Sequence, residues 1–95
     1  MTEPASAHMG TATWSSEDGT AFEVALEGIN HVVGAYSRLI AEARAADRND
    51  KADALVAERA QWSRRRKGLT PADRAAVDAV TTESAQLLHR LRTAQ

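Results

Sequence analysis

The feature that most constrains this chain is an unbroken apolar repeat in its first half. Apolar residues recur at alternating steps of four and three residues, at Phe22, Leu26, Ile29, Val33, Tyr36, Ile40 and Ala43. Such a repeat keeps one side of an α-helix apolar over several turns, which is typical of a helix that packs along another helix. The segment therefore predicts a long amphipathic helix. Two spacings typical of a capping box offer alternative starts for it, Ser15 with Asp18 and Thr20 with Glu23.

Two shorter helical patterns follow the first one. Asn49 is suited to the left-handed conformation that ends a helix, and a second helix over about 50–67 is the weakest amphipath of the three. Gly68 ends this helix, and Thr70 followed by Pro71 predicts the cap and the first residue of a third helix over about 71–93. The apolar side of the third helix is again spaced by threes and fours, at Val77, Val80, Ser84, Leu87, Leu91 and Ala94.

The chain has little apolar material with which to build a core. Of its 95 residues, twenty are alanine and only sixteen are Leu, Ile, Val or Phe, while the net charge is −1. A chain of this size buries a modest share of its surface when it folds. We therefore expect thin helices that pack closely, and a second chain, to supply the rest of the buried surface. The predicted fold is all-α: an antiparallel three-helix bundle or an extended helical hairpin, completed by oligomerisation. Residues 1–15 are predicted to be a flexible tail, residues 16–95 a single helical domain, and the helices to span about 18–48, 50–67 and 71–93.

The two parts of the chain carry opposite charge. Residues 1–58 contain ten acidic and four basic side chains, and residues 59–95 contain three acidic and eight basic ones. Such a chain can pair its own halves within one bundle, or pair with a copy of itself. In the first helix, Gly28 and Gly34 lie off the apolar repeat, where each costs about 1 kcal/mol relative to alanine and is expected to admit either a bend or a close backbone approach.

Two basic features are candidate binding sites. The run Arg64, Arg65, Arg66 and Lys67 concentrates positive charge near a helix end, which suits nucleic-acid phosphates as well as the helix dipole. Arg59 projects from the middle of the apolar side of the second helix, where it is a candidate for an ion pair or an anion contact. Its alternative role is to lay its stem on the apolar surface and its head in water.

The sequence predicts no catalytic or metal site and no cofactor. Cysteine is absent, and the three histidines lie on separate segments, so no spacing typical of a metal site occurs. No hydroxyl has a neighbouring base that would activate it, and no glycine-rich phosphate loop is present. The amino-terminal residues lack the pattern of a signal peptide and no run of 18 apolar residues occurs, so a cytoplasmic location without membrane contact is expected. The abundance of alanine and arginine points to a bacterial source.

The apolar repeat also predicts the function. The first helix offers more apolar width than a weak second helix and an alanine-rich third helix are expected to cover, and uncovered apolar stripes mark interfaces. The chain is therefore predicted to be a non-enzymatic protein-interaction module, regulatory in role, whose partner is itself, as a dimer, or another helical protein. The alternatives are a nucleic-acid accessory protein that uses Arg64 to Lys67 and a helical bundle that binds a small ligand near Arg59. The predicted interface consists of Phe22, Leu26, Ile29, Val33, Tyr36 and Ile40.

Overall fold

The computed structural model describes residues 15–93, which form three α-helices and no strand. The helices are α1 (Ser16–Ala45), α2 (Asn49–Gly68) and α3 (Arg74–Thr93). The predicted all-helical fold is therefore confirmed for this part of the chain. Residues 1–14 of the predicted tail lie outside the described residues. The completion of the bundle by oligomerisation stays a prediction.

The first of the two candidate starts of α1 is the one that the structure uses. The Ser15 hydroxyl accepts a hydrogen bond from the backbone N–H of Asp18 at 3.2 Å, and the Asp18 carboxylate accepts one from the N–H of Ser15 at 3.1 Å. This reciprocal capping box satisfies two backbone donors that have no partner inside the helix. Glu17 and Asp18 also place negative charge in the first turn, where the helix dipole favours it.

The turn between α1 and α2 lies slightly earlier than predicted. Asp47 adopts the left-handed conformation, with φ of 59°, so the assignment of that role to Asn49 was wrong. The N–H of Arg48 donates to the Ala43 carbonyl at 2.8 Å, and the N–H of Asp47 donates to the Arg44 carbonyl at 3.1 Å. This pair of bonds is a Schellman motif, which ends α1 at Ala45 and frees Asn49 to begin α2.

The start of α3 also differs from the prediction. The Asp73 carboxylate, and not the Thr70 hydroxyl, caps the helix, because it accepts a hydrogen bond from the N–H of Ala76 at 3.1 Å. Pro71 and Ala72 form a turn before the cap, in which the Thr70 carbonyl accepts from the N–H of Asp73 at 3.1 Å. The helix therefore begins at Arg74, three residues after the proline.

The long helix α1 packs against both other helices, whereas the Cα atoms of α2 and α3 stay more than 8 Å apart. Helix α2 runs antiparallel to α1, because only residues 46–48 connect the two helices, and Tyr36, nine residues before the end of α1, hydrogen-bonds to Glu58, nine residues after the start of α2. Helix α3 runs in the same direction as α1, because Arg74 at its start bonds Asp18 at the start of α1. The result is an up-down-up bundle in which α1 is the central helix.

The core divides into two clusters along α1. The α3-side cluster is fully buried, whereas the α2-side cluster retains a few per cent exposure at most of its positions. Trp62 of α2 packs against both clusters and joins them. The members of the α3-side cluster are Ala25, Ile29, Val77 and Val80. The members of the α2-side cluster are Val32, Tyr36, Ile40, Ala43, Ala52 and Leu55.

The two glycines of α1 have different environments. A Cβ atom at Gly28 would collide with the Ser84 side chain of α3, so the absence of a side chain is what allows α1 and α3 to approach at this point. The predicted close approach is thus confirmed at Gly28. A Cβ at Gly34 would meet nothing within 4 Å, so packing within the described chain does not require this glycine.

Candidate interaction surfaces

The six residues of the predicted interface divide into two groups of three. Ile29, Tyr36 and Ile40 are buried within the chain, at 0%, 2% and 6% exposure. A partner can contact these three side chains only if the bundle opens. Helices α2 and α3 together cover more of α1 than was expected from the few apolar residues that they contain. The other three side chains are half-buried and line one side of α1; we call Phe22, Leu26 and Val33 the α1 edge.

Leu26 is the member of the α1 edge that lies outside both core clusters. Phe22 and Val33 pack against the α3-side cluster together with Trp62 and Leu69. Leu26 packs against neither cluster, although it lies within the same apolar repeat. Because Leu26 belongs to neither cluster, its contact with a partner leaves both clusters intact.

The contact between α1 and α2 contains two polar links. The Tyr36 hydroxyl donates a hydrogen bond of 2.9 Å to Oε1 of Glu58. Burial, and then the hydrogen bond and negative charge of Glu58, raise the pKa of Tyr36 to about 12. The tyrosine is thus neutral at physiological pH and holds Glu58 against α1.

Within residues 15–93, Arg59 contacts a hydroxyl and not a carboxylate. Its Nη1 donates to Ser37 Oγ at 2.9 Å, and the Ser37 hydroxyl donates to the Val33 carbonyl at 2.9 Å. The half-buried guanidinium therefore lies across α1 and retains donors that can face solvent or an anion. The predicted anion contact of Arg59 stays a prediction.

The basic run Arg64 to Lys67 does not act as one surface. Arg65 donates to Oε1 of Glu83 at 2.7 Å and lies 5.0 Å from the centre of the Trp62 ring. Its hydrogen bond lowers the pKa of Glu83, so the pair links α2 to α3 across the gap between them. The other three cations, Arg64, Arg66 and Lys67, are exposed and form no ion pair within the described part of the chain. Because successive residues turn by about 100° around a helix, these three point in different directions.

A second ion pair joins the acidic and basic parts of the chain. Arg74 donates to Asp18 at 2.8 Å and to Asp78 at 2.9 Å. The hydrogen bond from Arg74, followed by the one from the backbone of Ser15, lowers the pKa of Asp18. The opposite charges of the two parts thus meet within one bundle at this point, as one of the two sequence-based alternatives predicted.

The surface of residues 15–93 includes the following open depressions. The first, of about 570 Å³, lies where α1 and α3 begin, between Thr20 and Arg74. The second, of about 450 Å³, lies at the end of the α1–α2 hairpin beyond the last turn of α3. The third, of about 210 Å³, is a groove between Val24 of α1 and Leu88 of α3. We call the second depression the hairpin notch; it is lined by Leu39, Glu42, Ala43, Ala46, Arg48, Lys51, Leu55 and Leu91.

The lining of the third depression includes Glu27, His31 and Ser84. Within residues 15–93, no group of three or more His, Asp or Glu side chains could hold a metal ion. Arg59 lines none of the three depressions. In the same range, no helix is long and apolar enough to cross a membrane.

Sequence reasoning missed Val24 and the hairpin notch. Val24 is 49% exposed and is the one large apolar side chain in the described range that is classed as exposed. It lies beside the apolar repeat and not within it, so the strongest periodicity of the sequence does not include it. A second line of α1 positions at helical spacing, which begins at Val24 and includes Leu39, was the signal that could have found both features.

Comparison with known proteins assigns the chain to no family: no protein-family model, no curated protein and no solved structure matches it.

Proposed function

We propose that this chain is a non-enzymatic protein-interaction module that associates with a second copy of itself through the α1 edge. The observation that carries the proposal is the position of Leu26. This side chain continues the apolar repeat but stays half-buried and outside both core clusters. Phe22 and Val33 flank it at helical spacing, so the three together offer a narrow apolar strip to another helix.

Two-fold pairing of α1 edges is the simplest arrangement of such a strip. In an interface of this kind both copies use the same patch. When the two α1 helices are antiparallel, the Phe22 end of one strip lies against the Val33 end of the other. The acidic first part of α1 and the cations at the end of α2 border the same region, because Phe22 of α1, Trp62 of α2 and Leu69 after it pack against the same cluster. Opposite charges of two copies therefore support the pairing at the rim of the apolar strip.

Light scattering coupled to size exclusion tests the proposal on the full chain. Leu26→Asp is expected to halve the molar mass, because a carboxylate in the centre of the strip loses its hydration when two copies pair. Helicity by circular dichroism is expected to stay the same, since Leu26 belongs to neither cluster. The matched control is Ala41→Asp, which adds the same charge at an exposed position of α1 and is expected to leave the mass unchanged.

Either of two results contradicts the proposal. One is a parent chain that elutes as a monomer at low and at moderate salt. The other is an assembly whose mass Leu26→Asp does not change. An assembly that dissociates when salt is raised, with Leu26→Asp unchanged, points to a contact made by charge and not by the α1 edge.

Nucleic-acid binding is the second candidate function, and the exposure of Arg64, Arg66 and Lys67 is the observation that favours it. Three unpaired cations near one helix end attract phosphates without reading sequence. Fluorescence anisotropy with a labelled duplex at low salt is the test, with Arg64→Ala and Arg66→Ala together as the variant. Binding that falls with salt and is lost in the variant supports this candidate, and no binding at low salt contradicts it.

A further inference from the structure

Three polar residues lie along one side of α2: Arg59, Ser63 and Arg66, which we call the α2 stripe. They are four and three residues apart, so successive side chains lie one turn from each other on the same side of the helix. Arg59 is half-buried, whereas Ser63 and Arg66 are exposed. The stripe therefore has one end against α1, where Arg59 contacts Ser37, and the other end in solvent.

The guanidinium group at the buried end of the stripe is held in place by α1. Ser37 Oγ accepts a hydrogen bond of 2.9 Å from Nη1 of Arg59, and the Ser37 hydroxyl itself donates to the Val33 carbonyl at 2.9 Å. A guanidinium carries several N–H donors in one rigid plane, and Ser37 accepts only one of them. Because the plane is already oriented, its other donors lose little conformational entropy when they bind an anion.

The surroundings of the stripe contain no carboxylate that could neutralise it. Within residues 15–93, Arg65 and Arg74 each form an ion pair with a carboxylate of another helix, but Arg59 and Arg66 form none. The α2 positions three, four and seven residues from Arg59 hold no acid, and neither do the α1 positions at the same spacings from Ser37. These sides of α1 and α2 therefore share a region of positive potential.

Small residues of α1 leave room for an anion beside Arg59. Gly34 and Ala41 lie one turn before and one turn after Ser37, and both are exposed. A Cβ atom at Gly34 would meet nothing within 4 Å, so the space over this part of α1 is open. An anion can therefore approach the oriented guanidinium from solvent without displacing any side chain of α1.

We infer that the α2 stripe binds the diphosphate group of a small ligand. Guanidinium groups match the oxygens of phosphate with paired hydrogen bonds, and the Ser63 hydroxyl between them supplies a further donor. The Cα atoms of Arg59 and Arg66 are about 10.5 Å apart along the helix axis, so two linked phosphates suit the two guanidinium groups better than one small carboxylate does. Nucleic acid is the less suitable ligand, because it gains affinity by contacting many cations and only two lie on this side of α2.

Titration calorimetry of the full chain with inorganic pyrophosphate, at an ionic strength held constant with sodium chloride, tests the inference. Arg59→Met and Arg66→Met are each expected to weaken binding by about tenfold or more, because each removes charged hydrogen bonds. Methionine keeps an apolar stem at either position, and circular dichroism checks that the helices remain. The matched control is Arg64→Met, which removes the same charge about 200° away around α2 and is expected to change the affinity by less than about twofold.

Substitution of Ser37 tests the orientation of Arg59 without any change of charge. Ser37→Ala removes the acceptor that holds the guanidinium and is expected to weaken pyrophosphate binding, whereas Ser37→Thr keeps a hydroxyl and is expected to bind as the parent does. A Ser37→Ala chain with the affinity of the parent would overturn the oriented donor on which the site depends.

Three results overturn the inference. One is a parent chain that binds no pyrophosphate at low ionic strength, and another is an equal loss of affinity in Arg64→Met and Arg66→Met, which would mean that the whole basic run attracts anions. The third is a labelled duplex that binds through the stripe and that pyrophosphate does not displace. The molar mass from light scattering is a separate measurement, so a failure of self-association through the α1 edge leaves this test unaffected.

Discussion

Helices α3 and α2 cover the same central helix in different ways. Helix α3 contributes Val77 and Val80, both fully buried, and approaches α1 so closely at Ser84 that only glycine fits opposite. Helix α2 contributes Ala52 and Leu55 to the core and adds two hydrogen bonds, one that Glu58 accepts from Tyr36 and one that Arg59 donates to Ser37. The contact with α3 thus depends on shape, whereas the contact with α2 is a thinner apolar contact whose register is fixed by polar side chains.

Matched isoleucine substitutions in α1 give the largest expected difference between the two contacts. Ile29 is fully enclosed in the α3-side cluster, whereas Ile40 is 6% exposed in the α2-side cluster. Ile29→Ala is expected to lower the free energy of unfolding by about 4 kcal/mol, and Ile40→Ala by about 2 kcal/mol, because an open site relaxes around the missing atoms. Urea denaturation at one fixed protein concentration measures both. Equal losses would mean that the two contacts are equally well packed.

The two glycines of α1 sharpen the comparison with effects of opposite sign. Gly28→Ala is expected to cost about 1–3 kcal/mol, because the new methyl group collides with Ser84, whose hydroxyl is held by the Thr81 carbonyl at 3.2 Å. Gly34→Ala is expected to stabilise the chain by about 1 kcal/mol, because alanine favours the helix and nothing lies within 4 Å.

Thermal unfolding of both glycine variants checks these signs, and Ser84→Ala provides the control. In the Ser84→Ala chain the hydroxyl is absent, so Gly28→Ala is expected to cost less than it does in the parent. If Gly28→Ala stabilised the parent as much as Gly34→Ala does, the close approach of α1 and α3 would not be real.

The smallest expected effect concerns the polar link between α1 and α2. Tyr36→Phe removes the hydrogen bond to Glu58 and is expected to lower the free energy of unfolding by about 1 kcal/mol. The pKa of Tyr36 is raised to about 12, above its ordinary value of 10.0, so the folded chain holds the phenolic proton more tightly than the unfolded chain. The contribution of Tyr36 to the free energy of unfolding is therefore fully present below pH 10, and it declines as the pH rises from about 10 to 12.

The chain contains one tyrosine, so its ultraviolet titration reports this group directly. The folded protein is expected to titrate near 12, and the protein in denaturant near 10. The Tyr36→Phe chain is expected to lack the tyrosine-dependent part of the decline in stability above pH 10. A titration midpoint near 10 in the folded protein would show that Tyr36 is not buried against Glu58.

The sequence was sufficient to predict the helices but not how well they cover one another. The apolar repeat of α1 and the spacing of Val77, Val80 and Leu91 are local signals, so the all-helical fold could be predicted. Coverage depends on tertiary packing: α1 was expected to stay partly uncovered, yet Ile29, Tyr36 and Ile40 are buried within the chain. The weak amphipathic pattern of α2 did not indicate how much Trp62 contributes to the core. This side chain contacts both clusters, but an apolar periodicity gives it the same weight as any other apolar residue.

The errors at the helix ends have a local physical cause. Asp47 and Asn49 are both residues that tolerate the left-handed conformation, and the choice between them depends on where the carbonyls of α1 find donors. In the same way, Thr70 and Asp73 are both competent caps, and the carboxylate accepts the backbone hydrogen bond that starts α3. Sequence offers the candidates in such cases, and the geometry of the turn decides among them.

The central position of α1 has a consequence for the order in which the chain folds. Contacts between α1 and α2 join residues 22 apart, such as Tyr36 and Glu58, whereas the link between Asp18 and Arg74 joins residues 56 apart. Closing the longer loop costs about 0.8 kcal/mol more in chain entropy, and contacts that are local in sequence form faster. We therefore expect the α1–α2 hairpin to form first and α3 to dock on it afterwards. The α1–α3 contact, which is the better packed of the two, then forms later. Substitutions in it are therefore expected to change the rate of unfolding more than the rate of folding.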